Sequence, residues 1–157
     1  MLKKIKWIIL ILLSTGIIFL TFIVTLLRYA ETEAELLENY RTSLMALPEV
    51  ASVGDVRRFN GLESYIVANV ILETGYEVYY FVFQETVQHF FFASRLISED
   101  EAQTIAERLI RNGEISRTQL GILDEMPIFE VQIQVEDAIH YIVIDAQNGE
   151  VIMNFQL

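Results

Sequence analysis

The side chains able to do chemistry are few in this chain of 157 residues, and their spacing argues against a catalytic centre. Two histidines occur, His89 and His140, each inside an alternating apolar run of the kind that forms a β-strand. A protein zinc site gathers several Cys, His or carboxylate ligands at short spacings. Here there is no cysteine and no second histidine within reach of either, so no metal is expected. The acidic clusters Glu99-Asp100-Glu101, Asp124-Glu125 and Glu136-Asp137 fall at a helix start and in turns, where carboxylates complement the helix dipole or stay solvated. None follows the D-x-D-x-D-G pattern of a calcium loop. Ser14 and Ser43 have neither a G-x-S-x-G elbow nor an S-x-x-K partner, and no glycine-rich loop could cradle a phosphate. The residues therefore read as those of a protein that is not an enzyme and needs no cofactor.

The chain is instead organised around its apolar run from Trp7 to Leu27, which contains no charge. As a helix rising 1.5 Å per residue it would extend about 31 Å, enough for a hydrocarbon core of roughly 30 Å. A secretory signal has a shorter apolar region, about 7 to 15 residues, ending at a small-residue cleavage site. Here the nearest small-x-small triplet, Thr32-Glu33-Ala34, lies well past the run, which reads as a retained single-span anchor. Lys3, Lys4 and Lys6 precede it, while Arg28 is followed by Glu31, Glu33, Glu35 and Glu38. Lys and Arg beside a span favour the cytoplasmic side, so the expected topology leaves residues 1–6 as a cytoplasmic tail and 28–157 outside the cell membrane. Gly16 stands without a GxxxG partner, so the span gives no sign of dimerising.

All 22 acidic residues lie after the span, against eight arginines. That balance excludes a nucleic-acid footprint, which must neutralise phosphates. Without cysteine, stability must come from buried cores alone. Ala30 to Leu47 reads as an amphipathic helix that continues from the span as a short stalk, with Leu36, Leu37, Tyr40, Leu44 and Leu47 recurring at spacings of three and four before Pro48. Strand signals follow at Val50 to Phe59, Ser64 to Leu72, Tyr76 to Phe83 and Val87 to Ala93. Then the layout repeats. Ser98 and Glu101 form an S-x-x-E capping box, and Ala102, Ile105, Ala106, Leu109 and Ile110 predict one buried stripe on the helix it opens. Strands are predicted at Ile115 to Leu123, Ile128 to Val135, Ile139 to Asp145 and Val151 to Phe155. The expected fold is α+β: an N-terminal transmembrane helix over 7–27, then two tandem units, 28–97 and 98–157, each a helix on an antiparallel sheet of about four strands.

The two sheets differ in pattern. In the second, Phe129, Val131, Ile133 and Val135 alternate with Glu130, Gln132 and Gln134, one face dry and one wet, so its helix alone should suffice to cover it. In the first, both alternating sets are apolar, and a second cover must come from the neighbouring domain or from another protein. A two-residue turn at Thr74-Gly75 would gather Val67, Ile71, Tyr76 and Tyr80 on the uncovered face, as a domain or partner interface, whereas a three-residue turn through Glu73 would move the tyrosines to the other face.

Ile97 to Ala102 opening a helix, Ile128 to Val131 in a strand, and Tyr141 to Val151 closing a hairpin resemble a PepSY domain, a cystatin-like unit. Its usual Asp-Ala-x-x-Gly-x-Val motif stands here as Asp145, Ala146, Gly149 and Val151, with Asn148 where Thr is commoner. With the basic N-terminus, the single span and a degenerate first copy, nearly the whole chain resembles the TseB (YpmB) family of Gram-positive bacteria. The resemblance implies an extracytoplasmic accessory of cell wall elongation that contributes to peptidoglycan synthesis beside a class B penicillin-binding protein. It leaves a second reading, a regulator or inhibitor of a peptidase. A small-molecule ligand is not expected, because the large aromatics would fill a cavity between helix and sheet.

Overall fold

The structure, a computed structural model, describes residues 2–157, with side chains for residues 14–28 and 31–157. The side chains of Lys3, Lys4 and Lys6, on which the expected orientation rests, lie outside that range. Span and stalk form one helix, α1 (Leu2–Met45, 44 residues), since neither proline nor a glycine pair interrupts it. From Ser14 onward it is long and apolar enough to cross a membrane by length and composition. The apolar side chains described between Ile17 and Leu27 are exposed, Ile18 by 70%. The hydroxyls of Thr21 and Thr25 donate to the carbonyls of Ile17 and Thr21, each at 2.9 Å, which satisfies them within the helix. The chain divides into two compact units, Met1–Glu38 and Asn39–Leu157, and both sheets belong to the second.

Each sheet is an antiparallel meander whose strands lie in sequence order. The first comprises β1 (Val50–Asn60), β2 (Ser64–Leu72), β3 (Glu77–Phe83) and β4 (Thr86–Phe92). A 3-10 turn (Ala93–Arg95) leads to α2 (Glu99–Leu109). The second sheet follows as β5 (Glu114–Leu123), β6 (Met126–Val135), β7 (Ala138–Asp145) and β8 (Val151–Gln156). β1 is eleven residues long and carries two register shifts, one at Ala51 and one at Gly54-Asp55.

The cap at Ser98 forms, its hydroxyl accepting the Glu101 amide at 3.1 Å. Ala102 and Ala106 are fully buried against Phe129, Val131, Ile133, Ile142 and Ile144, which makes the α2-facing side of the second sheet the main core. Leu109 departs from the expected stripe. It is 48% exposed, because the helix ends there and the chain turns away at Ile110.

A second core joins the sheets. Phe59, Val67 and Phe81 of the first pack with Ile122, Ile128 and Val143 of the second, so the second sheet is covered by more than its helix. The ring of Phe59 lies over Gly121, where an added Cβ would fall 2.3 Å from ring carbons. On the opposite face of the first sheet, Leu44 near the end of α1 is buried, and Arg41 donates to the carbonyl of Val53 at 2.9 Å.

Candidate interaction surface

The hairpin between β2 and β3 decides which side chains share a face. Gly75 donates to the carbonyl of Leu72 at 2.8 Å, Leu72 donates to the carbonyl of Tyr76 at 2.9 Å, and only Gly75 takes a positive φ, +82°. This is the three-residue loop, Glu73-Thr74-Gly75, and not the two-residue turn that would have placed all four residues on one face. A two-residue turn of the favoured type would ask β-branched Thr74 for a positive φ as well. The register sets Val67 opposite Phe81 and Ile71 opposite Glu77, but Ala68 opposite Tyr80. Val67 and Ile71 therefore share one face, and Tyr76 and Tyr80 lie on the other. Val67 is buried in the core between the sheets, whereas Ile71 is 42% exposed.

The face of Tyr76 and Tyr80 carries a ladder of aromatic rings. Tyr80 meets Phe90 with centroids 6.3 Å apart, Phe90 meets Phe92 at 5.9 Å, and Phe92 meets Tyr76 at 5.7 Å, all edge to face. That geometry sets the positive edge of one ring against the negative face of the next. Tyr80 anchors the ladder as a buried residue, while Tyr76 is 62% and Phe90 55% exposed. Burial, and then the negative charge of Glu49, push the Tyr80 phenol above its ordinary pKa, so it stays a neutral hydroxyl. Phe90, Phe91 and Phe92 run consecutively in a strand, so Phe90 and Phe92 must share the face opposite Phe91. Only the register could join them to the tyrosines.

A separate cleft of about 530 Å³ opens where the first sheet, the 3-10 turn, the start of α2 and strands β5 and β6 meet. Asp55, Arg57, Glu77 and Glu99 line it beside Val67, Tyr79, Leu96, Leu120 and Phe129. Arg57 pairs with Asp55 and stands 3.9 Å from Glu99. Glu77 accepts from the Asn69 amide at 2.6 Å. Asp55, Arg57 and Glu77 lie in strands and Glu99 in the acidic first turn of α2, and nothing in their spacing foretold the cleft.

The Asp145-to-Val151 motif builds a corner. Asp145 accepts the Gln147 amide at 2.7 Å and the Asn148 side chain at 2.9 Å, and Asn148 in turn accepts the Glu150 amide at 2.7 Å. Ala146 is fully buried beneath α2, donating to the carbonyl of Pro127 and accepting the Ile97 amide at 2.7 Å. Gly149 has φ +77°, and a Cβ there would stand 3.0 Å from Ile105. Val151 packs against the same core. The motif's four residues hold hairpin, helix and linker together, a task of shape. Among the described residues, no three His, Asp or Glu side chains gather as a metal site would require.

A helix over a meandering sheet, closed by this corner, is the arrangement of the C-terminal part of the chain, from α2 to β8. Residues 96–152 match the family described as "Peptidase propeptide and YPEB domain". Among solved structures, the chain is similar to the YpmB protein from Bacillus subtilis, with 20% identity and a TM-score of 0.59, over 81% of this chain and 96% of that one. A protein from Clostridium difficile 630 matches at 12% identity and a TM-score of 0.41, over 67% of this chain and 82% of its own. No curated protein sequence matches the chain. The likeness to YpmB is one of fold, and the family match is carried by residues 96–152.

Proposed function

We propose that the chain is a non-catalytic, membrane-anchored module that acts outside the cell by binding another protein. The observation that carries this reading is the exposed aromatic ladder of Tyr76, Phe92 and Phe90. Tyrosine and other large aromatics on a surface are the residue types on which binding energy concentrates, and a contiguous apolar patch is costly to leave in water without a purpose. Helix α1 supplies the anchor, with residues 1–6 inside and the sheets outside, and residues 28–97 and 98–157 are two copies of one cystatin-like unit. The fold shared with YpmB, joined to the TseB-like architecture of the sequence, supports a role in cell wall elongation with a class B penicillin-binding protein as partner. A second reading, regulation of a peptidase, draws on the PepSY match itself.

Crosslinking the full-length chain in living cells and purifying it from membranes tests both. The expected catch is a wall synthase, lost in the Tyr76→Glu, Phe90→Glu variant. Recovery of a peptidase instead would establish the second reading, and an unchanged catch with the variant would exclude the ladder. A reporter fused after Leu157 should be active only when exported. Activity in the cytoplasm would overturn the topology.

A further inference from the structure

We infer that the cleft between the two sheets is a binding site for a basic, extended peptide segment of another protein, with a Lys or Arg side chain as its anchor. The inference rests on the reading of this chain as a protein-interaction module, but at a surface distinct from the aromatic ladder. The volume, about 530 Å³, lies within the range of sites that enclose a ligand of several groups. Its walls supply two chemistries. Leu96, Ile97 and Leu120 offer apolar surface over the buried Val67 and Phe129, and Asp55, Glu77 and Glu99 offer three carboxylates against the single guanidinium of Arg57.

The charge balance selects the sign of the ligand. Arg57 already pairs with Asp55 and approaches Glu99, both at half-exposed positions, so one cation is shared by two carboxylates. Among the described residues Glu77 is partnered by the neutral amide of Asn69 and by no cation, so it gains most from a cationic ligand. An anion is disfavoured although the N-terminus of α2 lies here, because Ser98 caps that end and Glu99, Asp100 and Glu101 fill its first turn. A Lys or Arg side chain fits both walls, laying its aliphatic stem along the apolar residues and its head among the carboxylates. The excess of 22 acidic side chains over eight arginines after the span would steer such a segment inward.

Fluorescence polarisation on the full chain in detergent micelles provides the test. The probes are labelled acetyl-Leu-Arg-Leu-Lys-Leu-amide and its counterpart with Glu in place of both basic residues. The basic peptide should bind and the acidic one should not. Glu77→Gln with Glu99→Gln should weaken binding about tenfold, Arg57→Gln should tighten it by removing the competing cation, and Glu107→Gln on the exposed side of α2 should change nothing. Failure of the basic peptide to bind, equal binding of the acidic one, or an equal loss with Glu107→Gln would overturn the inference. So would displacement by spermidine at the peptide's own concentration, since that would show recognition of charge alone. Tyr76→Glu with Phe90→Glu should leave peptide binding intact, so failure at the cleft and failure at the ladder are read separately.

Discussion

Gly121 lets the two sheets approach by having no side chain, for the ring of Phe59 occupies the space a Cβ would take. Phe59 is itself buried, so the ring cannot swing into solvent. Gly121→Val should therefore cost about 1–3 kcal/mol, the usual penalty for overpacking a filled core. Urea unfolding of the full chain checks this, and an unchanged midpoint would show that the sheets do not meet at Phe59. Nothing in the sequence marks Gly121, because a glycine inside a strand pattern announces a close approach without saying what approaches. Thr74 is the converse case. Its β-branch disfavours the two-residue turn, so the signal separating Tyr76 and Tyr80 from Val67 and Ile71 was present in the sequence.

Helix α2 shows how much of an element local chemistry fixes. Its start was legible from Ser98 and Glu101, and its inner face from Ala102 and Ala106, since capping and 3.6-residue periodicity are properties of neighbouring residues. Its end was not. Periodicity carried the buried stripe on to Leu109, but the helix stops there, before that side chain reaches the sheet. Two substitutions separate the positions. Ala106→Asp would bury a carboxylate where only a methyl group is accommodated and should cost several kcal/mol, about 3 or more, while Leu109→Asp should stay within about 0.5 kcal/mol. Thermal melts of the two variants measure the contrast, and equal losses would return Leu109 to the core. The Asp145 motif belongs to the same scale. It was legible as a hairpin, but its bonds to Pro127 and Ile97 join residues far apart in sequence and could only be seen in three dimensions.

At the scale of the whole molecule, α1 followed by two four-stranded meanders was legible from alternation and turn signals, whereas the packing between the sheets was not. The first sheet's need for a second cover could be read, because both of its alternating sets are apolar. That the second sheet provides part of it at Val67 and Phe81 depends on long-range contact. The meander order also has a consequence in time. Within each sheet every strand pairs with its neighbour in sequence, so each step closes only a short loop and loses little chain entropy. Each sheet can thus assemble as its own residues are supplied, N-terminal end first. The bond from the Ile97 amide to Ala146 must wait for the last hairpin, and the seat of Phe59 on Gly121 for both sheets. In pulsed hydrogen exchange during refolding, the amides of β2 and β3 should gain protection before that of Ile97. The reverse order would mean that the linker, and not the local hairpins, nucleates the fold.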